Sequence, residues 1–155
     1  MYFTSPTKGR LTATEMYDDI IQFVKEHPKD RFRLIIGTDS QPGKLTCFVT
    51  AVIIHREGKG ARFYFRRTYH KTPLSMRHKI FEEATRSLEM AGNLIQYTTN
   101  ISPEVTMEIH VDIGEKGRTR ELIQQVVNMI STSGFLAKIK PYSYGATKVA
   151  DRFTK

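Results

Sequence analysis

The chain has 155 residues, 39% hydrophobic and 26% charged, a size and balance that suit one folded domain and exclude wholesale disorder. No apolar run approaches the roughly 18 residues of a membrane helix, MYFTSPTKGR lacks the apolar segment of a secretory signal, and the single Cys47 excludes an intrachain disulfide and a cysteine-rich zinc site. Lys and Arg outnumber Asp and Glu by 24 to 16, a net charge of +8 that favours polyanionic partners and, with no export feature, a cytoplasmic setting.

Residues 1–11 read as a short arm ahead of a single domain over 12–155. Thr12 and Glu15 have the spacing of a capping box, and Met16, Ile20, Phe23, Val24 and His27 recur at helical spacing until Pro28 ends the helix. Residues 32–38 (FRLIIGT) predict a strand that stops at a turn over 39–43 (DSQPG). A nearly all-apolar strand over 45–55 follows, with Cys47 as a small buried hydrophobe, then a hairpin turn over 57–60 and an aromatic-rich strand over 61–70. Three strands joined by tight turns make an antiparallel meander. Pro73 and Ser75 open a long helix over 75–97. A strand over 105–113, a helix over 119–133 capped by Gly134, a strand over 136–140 and a short helix over 146–153 complete the chain. The order α, βββ, α, β, α, β, α predicts an α/β fold. Its mixed five-stranded sheet joins the meander to parallel strands, with helices on both faces and one extra helix at the N-terminus.

With acids scarce, their positions carry information. Asp39 and Asp112 fall at the carboxyl ends of the first and fourth predicted strands, where α/β sheets bind ligands. If those strands are parallel neighbours, the two carboxylates lie close together. Glu83 shares a helix face with Met76, Ile80, Ser87, Met90 and Leu94, the inward face, whereas Glu82 aligns with His78, Arg86, Glu89 and Asn93, a polar outward stripe. An inward carboxylate needs a compensating partner, either a metal ion or a basic side chain. Asp151, anchored by Val149, Ala150 and Phe153, would reach the same end of the sheet. Each acid also has an ordinary reading: Asp39 and Asp112 as turn residues, Glu83 as an ion-paired carboxylate, Asp151 as a partner of Lys148, Arg152 or Lys155.

The segments LIIGTDSQ (34–41), HVDIGEKGRTRELI (110–123) and ADRFTK (150–155) resemble the bacterial YkuK-like family, which is classed as ribonuclease H-like. The resemblance covers nearly the whole chain from Thr12 onward. It implies a three-layer ribonuclease H-like fold with an acidic site made of a first-strand Asp, a Glu on the helix after the meander, a fourth-strand Asp and a late helical Asp. On this chain those are Asp39, Glu83, Asp112 and Asp151, with Ser40 and His110 standing behind them. It also implies hydrolysis that leaves a 5′-phosphate and a 3′-hydroxyl.

Converging carboxylates suit two Mg²⁺ or Mn²⁺ ions, hard cations that prefer oxygen ligands and clamp a phosphodiester between them. Asp39 is the candidate bridge, Glu83 and Asp112 would hold one ion each, and Asp151 would complete the second site. Arg62, Arg66 and Arg67, interleaved with Phe63, Tyr64, Phe65 and Tyr69, are candidate contacts to a nucleic acid, as are Lys116 and Arg118 in a Gly-bounded loop before a helix. The plain alternative is a half-buried strand with a solvated outer face. His110 alternates onto the side of Glu108 and Asp112, either tuning the site or packed and hydrogen-bonded. The predicted function is a metal-dependent nuclease acting on RNA, an RNA/DNA hybrid or structured DNA. The competing readings are an inactive nucleic-acid-binding module and a protein scaffold.

Overall fold

The computed structural model describes residues 1–71, 73–98, 105–113 and 120–139. Its elements in chain order are β1 (Tyr2–Ser5), β2 (Gly9–Thr12), α1 (Ala13–Lys25), β3 (Phe32–Gln41), β4 (Thr46–Arg56), β5 (Gly60–His70), α2 (Met76–Thr98), β6 (Val105–His110), α3 (Arg120–Thr132) and β7 (Leu136–Lys138). The seven strands form one mixed sheet in the order β2-β1-β5-β4-β3-β6-β7. β3, β4 and β5 make the expected antiparallel meander, and β6 and β7 add in parallel beside β3.

Strand alternation sorts the apolar side chains onto two faces. On one face Phe32, Leu34 and Ile36 of β3 and Val52 and Ile54 of β4 join buried residues of α1, α2 and α3 in the main core. The other face carries two smaller clusters, Val49, Ala51 and Phe65 with half-buried Cys47 beside them, and Ile35 with Ile53. The three described helices thus pack into the core of a single face. The short helix expected over 146–153 lies outside the described residues. No helix among the described residues is long and apolar enough to cross a membrane.

Three expectations change. The segment read as an arm is a β-hairpin, β1 paired with β2, and Thr4 pairs with Phe65 of β5. Phe3 and Leu11 give it an apolar anchor in the core, and Gly9 supplies the positive φ of 75° that its turn needs. Among the described residues the sheet therefore has seven strands rather than five. Second, β3 runs on to Gln41, so Asp39 and Ser40 lie inside the ladder, Asp39 opposite Val49. Pairing with the apolar β4 overrides the turn preference of DSQPG. Third, β6 ends at His110, although Val111 still donates its N–H to the carbonyl of Lys138 at 2.8 Å.

Local signals in the sequence fix the helix ends. Thr12 accepts from the N–H of Glu15 at 3.1 Å while its own N–H donates to the Glu15 carboxylate at 3.0 Å, the reciprocal bonds of a capping box. Gly134 follows α3 with φ of 91°, the left-handed conformation that closes a helix.

Candidate active site

β3 and β6 pair in parallel with Phe32 opposite Val105 and Gly37 opposite His110. Two residues beyond that last pair stand Asp39 on β3 and Asp112 just past the end of β6. The strands' shared direction is what carries both carboxylates to one end of the sheet. Asp39 is half-buried and Asp112 exposed.

The third carboxylate comes from α2. Ile80, Ser87, Met90 and Leu94 are all buried, which confirms the inward face inferred from phase, although Met76 at the start of the helix is 55% exposed. Glu83 lies on that face. Its neighbour Glu82 accepts from Nε of Arg86 at 3.0 Å on the other side of the helix. Ser40 donates its hydroxyl to Oε1 of Glu83 at 3.2 Å, linking the end of β3 to α2. Burial pushes the Glu83 carboxyl up to about 8, and the negative charges of Asp39 and Asp112 add to that. Ser40's hydrogen bond and the charge of Lys79 oppose it without prevailing. Asp39 and Asp112 therefore both act on Glu83. Among the described residues, however, no three His, Cys, Asp or Glu side chains gather closely enough to hold one ion. By donor type the set fits a hard divalent cation: all its ligand atoms are oxygens, and the partly buried one resists ionisation beside two anions. Asp151 lies outside the described residues.

Behind the site, Thr38 shares hydrogen bonds with Ser87 at 2.8 Å and with Thr50 at 3.1 Å, pinning β3 to α2 and β4. Sequence reading missed this hydroxyl chain. Its signal is that Thr38 precedes Asp39 and Ser87 lies one helical turn after Glu83. His110 is 3% exposed, and its Nε2 bonds Oε1 of Glu108 at 2.7 Å. Arg33 donates to the same oxygen. Burial alone would raise the Glu108 carboxyl, but the hydrogen bonds from His110 and Arg33 outweigh it and hold it at about 2. His110 thus takes the packed, hydrogen-bonded role.

The basic candidates separate. Arg62 donates to Oδ1 of Asp19 at 3.3 Å and stacks 4.4 Å from the Phe23 ring centre, so it is engaged by α1. Asp19 also accepts from Lys8 and from the Tyr64 hydroxyl. Burial opposes its charge, yet these donors keep its carboxyl below the ordinary value. Arg66 and Arg67 are consecutive on β5 and point to opposite faces, so they cannot form one stripe. Lys116 and Arg118 lie outside the described residues.

A parallel β3–β6 pair with an Asp just beyond its last paired residues on each side, an antiparallel meander over β3, β4 and β5, and a following helix that carries a Glu are the arrangement of a ribonuclease H-like protein. The family model described as Ribonuclease H-like matches residues 15–155, and the chain belongs to that family. It is 37% identical over 166 residues to the uncharacterized protein YkuK of Bacillus subtilis (strain 168), an alignment spanning 99% of this chain and 96% of that one. No solved structure matches.

Proposed function

We propose that this chain is a divalent-cation-dependent nuclease acting on RNA, an RNA/DNA hybrid or structured DNA. The observation that supports it is the Glu83 carboxyl, raised to about 8 by burial and by Asp39 and Asp112, a mutual repulsion that Mg²⁺ or Mn²⁺ would offset. Asp39, Glu83 and Asp112 would hold two ions, with Asp151 as a fourth ligand. Bound there, the ions would supply an activated water and stabilisation of the leaving 3′ oxygen. The protein's own part is positioning. Ser40 orients Glu83, the Thr38 hydroxyl chain fixes β3 against α2, and basic side chains hold the phosphate backbone. Cleavage would leave a 5′-phosphate and a 3′-hydroxyl.

A second reading, an inactive module that binds nucleic acid, is favoured by the absence of a tight three-ligand cluster among the described residues. One assay separates the two. Purified protein is incubated with labelled hybrid, duplex, junction and single-stranded substrates in Mg²⁺ and in Mn²⁺. Cleavage that falls more than about 100-fold in Asp39→Asn and in Asp112→Asn supports hydrolysis, since even changes behind metal ligands cost up to that much. Salt-dependent binding without cleavage supports the module. Cleavage that survives both substitutions rules out this site.

A further inference from the structure

The stripe Arg86, Glu89 and Asn93, outward-facing by phase, forms one wall of a small cleft that opens to solvent. The opposite wall comes from the sheet: Thr50 of β4, with Arg66 and Thr68 of β5. Met1, Phe3 of β1 and Met90 of α2 complete the cleft's lining with apolar surface.

The donors in this cleft are held in place. Arg86 stacks with its guanidinium carbon 4.3 Å from the Phe48 ring centre, and it donates to Glu82 at 3.0 Å and to the Thr68 hydroxyl. Thr50 is fixed by its bond to Thr38 at 3.1 Å. Arg66, half-buried and directly opposite Thr50 in the ladder, makes no ion pair among the described residues. Two guanidinium groups, two hydroxyls and the Asn93 amide thus approach from two walls. A flat carboxylate is satisfied by one guanidinium face, whereas a tetrahedral anion offers oxygens to both walls at once. Glu89 is the single acid lining the cleft and its charge opposes any anion there, while Glu82 offsets part of the Arg86 charge.

We infer that the cleft between β5 and α2 is a phosphoryl-binding site, with Arg66 and Arg86 as its charged ligands and Asn93 and Thr50 as neutral ones. It lies apart from the carboxylates. At 1.5 Å of rise per residue, Arg86 and Asn93 stand about 4.5 Å and about 15 Å along α2 from Glu83. In the nuclease reading, on which this clause alone rests, the cleft would grip a strand a few nucleotides from the bond that is cut.

The test uses the full chain at low salt without divalent cations, so that binding is read with no hydrolysis. Inorganic phosphate, adenosine 5′-monophosphate and an unphosphorylated single-stranded octanucleotide are titrated separately while the side-chain N–H resonances of Arg66, Arg86 and Asn93 are followed by NMR. Saturable shifts with phosphate and the monophosphate identify a free phosphoryl ligand. Shifts with the octanucleotide identify a backbone phosphodiester. Arg66→Ala should weaken binding about tenfold, the loss of one charge-assisted hydrogen bond. Arg66→Lys should recover part of it, and Glu89→Gln should tighten it. For the octanucleotide, Arg66→Ala should also lower the salt slope by about one. The inference is overturned if none of the three ligands shifts these resonances, or if Arg66→Ala binds as tightly as the parent. Either result is independent of whether the Asp39 and Asp112 variants lose cleavage.

Discussion

Ser40 and Glu83, 43 residues apart in sequence, are joined by a 3.2 Å hydrogen bond from hydroxyl to carboxylate. That bond favours the charged form of Glu83, yet burial and the charge of Asp39 prevail and the carboxyl is raised from 4.5 to about 8. An acid with a raised folded-state pKa binds an extra proton in the native protein across that interval. Its contribution is fully favourable below 4.5 and is lost as pH climbs to about 8. The metal-free protein should therefore melt at progressively lower temperature from pH 5 to pH 8, and Glu83→Gln should flatten that slope. Millimolar Mg²⁺ or Mn²⁺ should raise the melting temperature of the parent, most strongly above pH 8, and much less that of Glu83→Gln. Thermal melts across pH with and without metal check both points, and no metal-induced shift in the parent would count against the proposed cation site.

Glu108 behaves in the opposite sense. Its carboxyl is held at about 2 by His110 and Arg33, so the network stabilises the fold above 4.5 and is lost as pH falls from 4.5 toward 2. Glu108→Gln leaves Arg33 and buried His110 without their anion and should cost about 3 kcal/mol in urea unfolding at pH 7. The same variant should show a shallower loss of stability than the parent below pH 4.5.

Asp19 is the hub that ties α1 to the hairpin turn and to β5, through Lys8, Arg62 and Tyr64. Its side chain is 7% exposed, whereas that of Lys8 is 50% exposed, so the two ends of one ion pair differ in worth. Lys8→Ala should cost no more than about 1 kcal/mol. Asp19→Ala strands a partly buried Arg62 and the Tyr64 hydroxyl and should cost about 3 kcal/mol. Equal losses in chemical denaturation would contradict this ranking.

Thr12 closes β2, pairs with Tyr2 and caps α1. Thr12→Ala should lower stability by about 1 kcal/mol through the cap alone. Thr12→Ser keeps the hydroxyl and should restore most of it, which a pair of denaturant midpoints would read.

What the sequence made legible were features carried by short-range chemistry or by period. The capping box of Thr12 and Glu15 and the left-handed Gly134 are local bonds and local sterics. The choice of Glu83 over Glu82 followed from helical phase, which places Ile80, Ser87, Met90 and Leu94 in the core. The parallel approach of Asp39 and Asp112 was legible only as a condition, since element order alone does not make β3 and β6 neighbours; the register of the two strands supplies that. The hairpin was hidden because its two four-residue strands bury only Phe3 and Leu11 as apolar anchors. Asp39 looked like a turn residue because pairing with Val49 is a tertiary fact that no local window contains. The capture of Arg62 had a signal that went unused: Asp19 falls on the same helical face as Met16, Ile20 and Phe23, and a carboxylate there calls for a buried cation. The bond between Arg33 and Glu108 could be seen only once the register of β3 on β6 was known.

The strand order has a consequence for how the molecule behaves in company. Among the described residues the sheet's outermost members are β2, of four residues, and β7, of three, while β3, β4 and β5 span ten or eleven residues each. Long apolar ladders with an open side recruit further chains into fibrils, and brief flanking strands are how natural sheets blunt that tendency. Here the hairpin covers the middle of the aromatic-rich β5, an edge that would otherwise stand open to another strand.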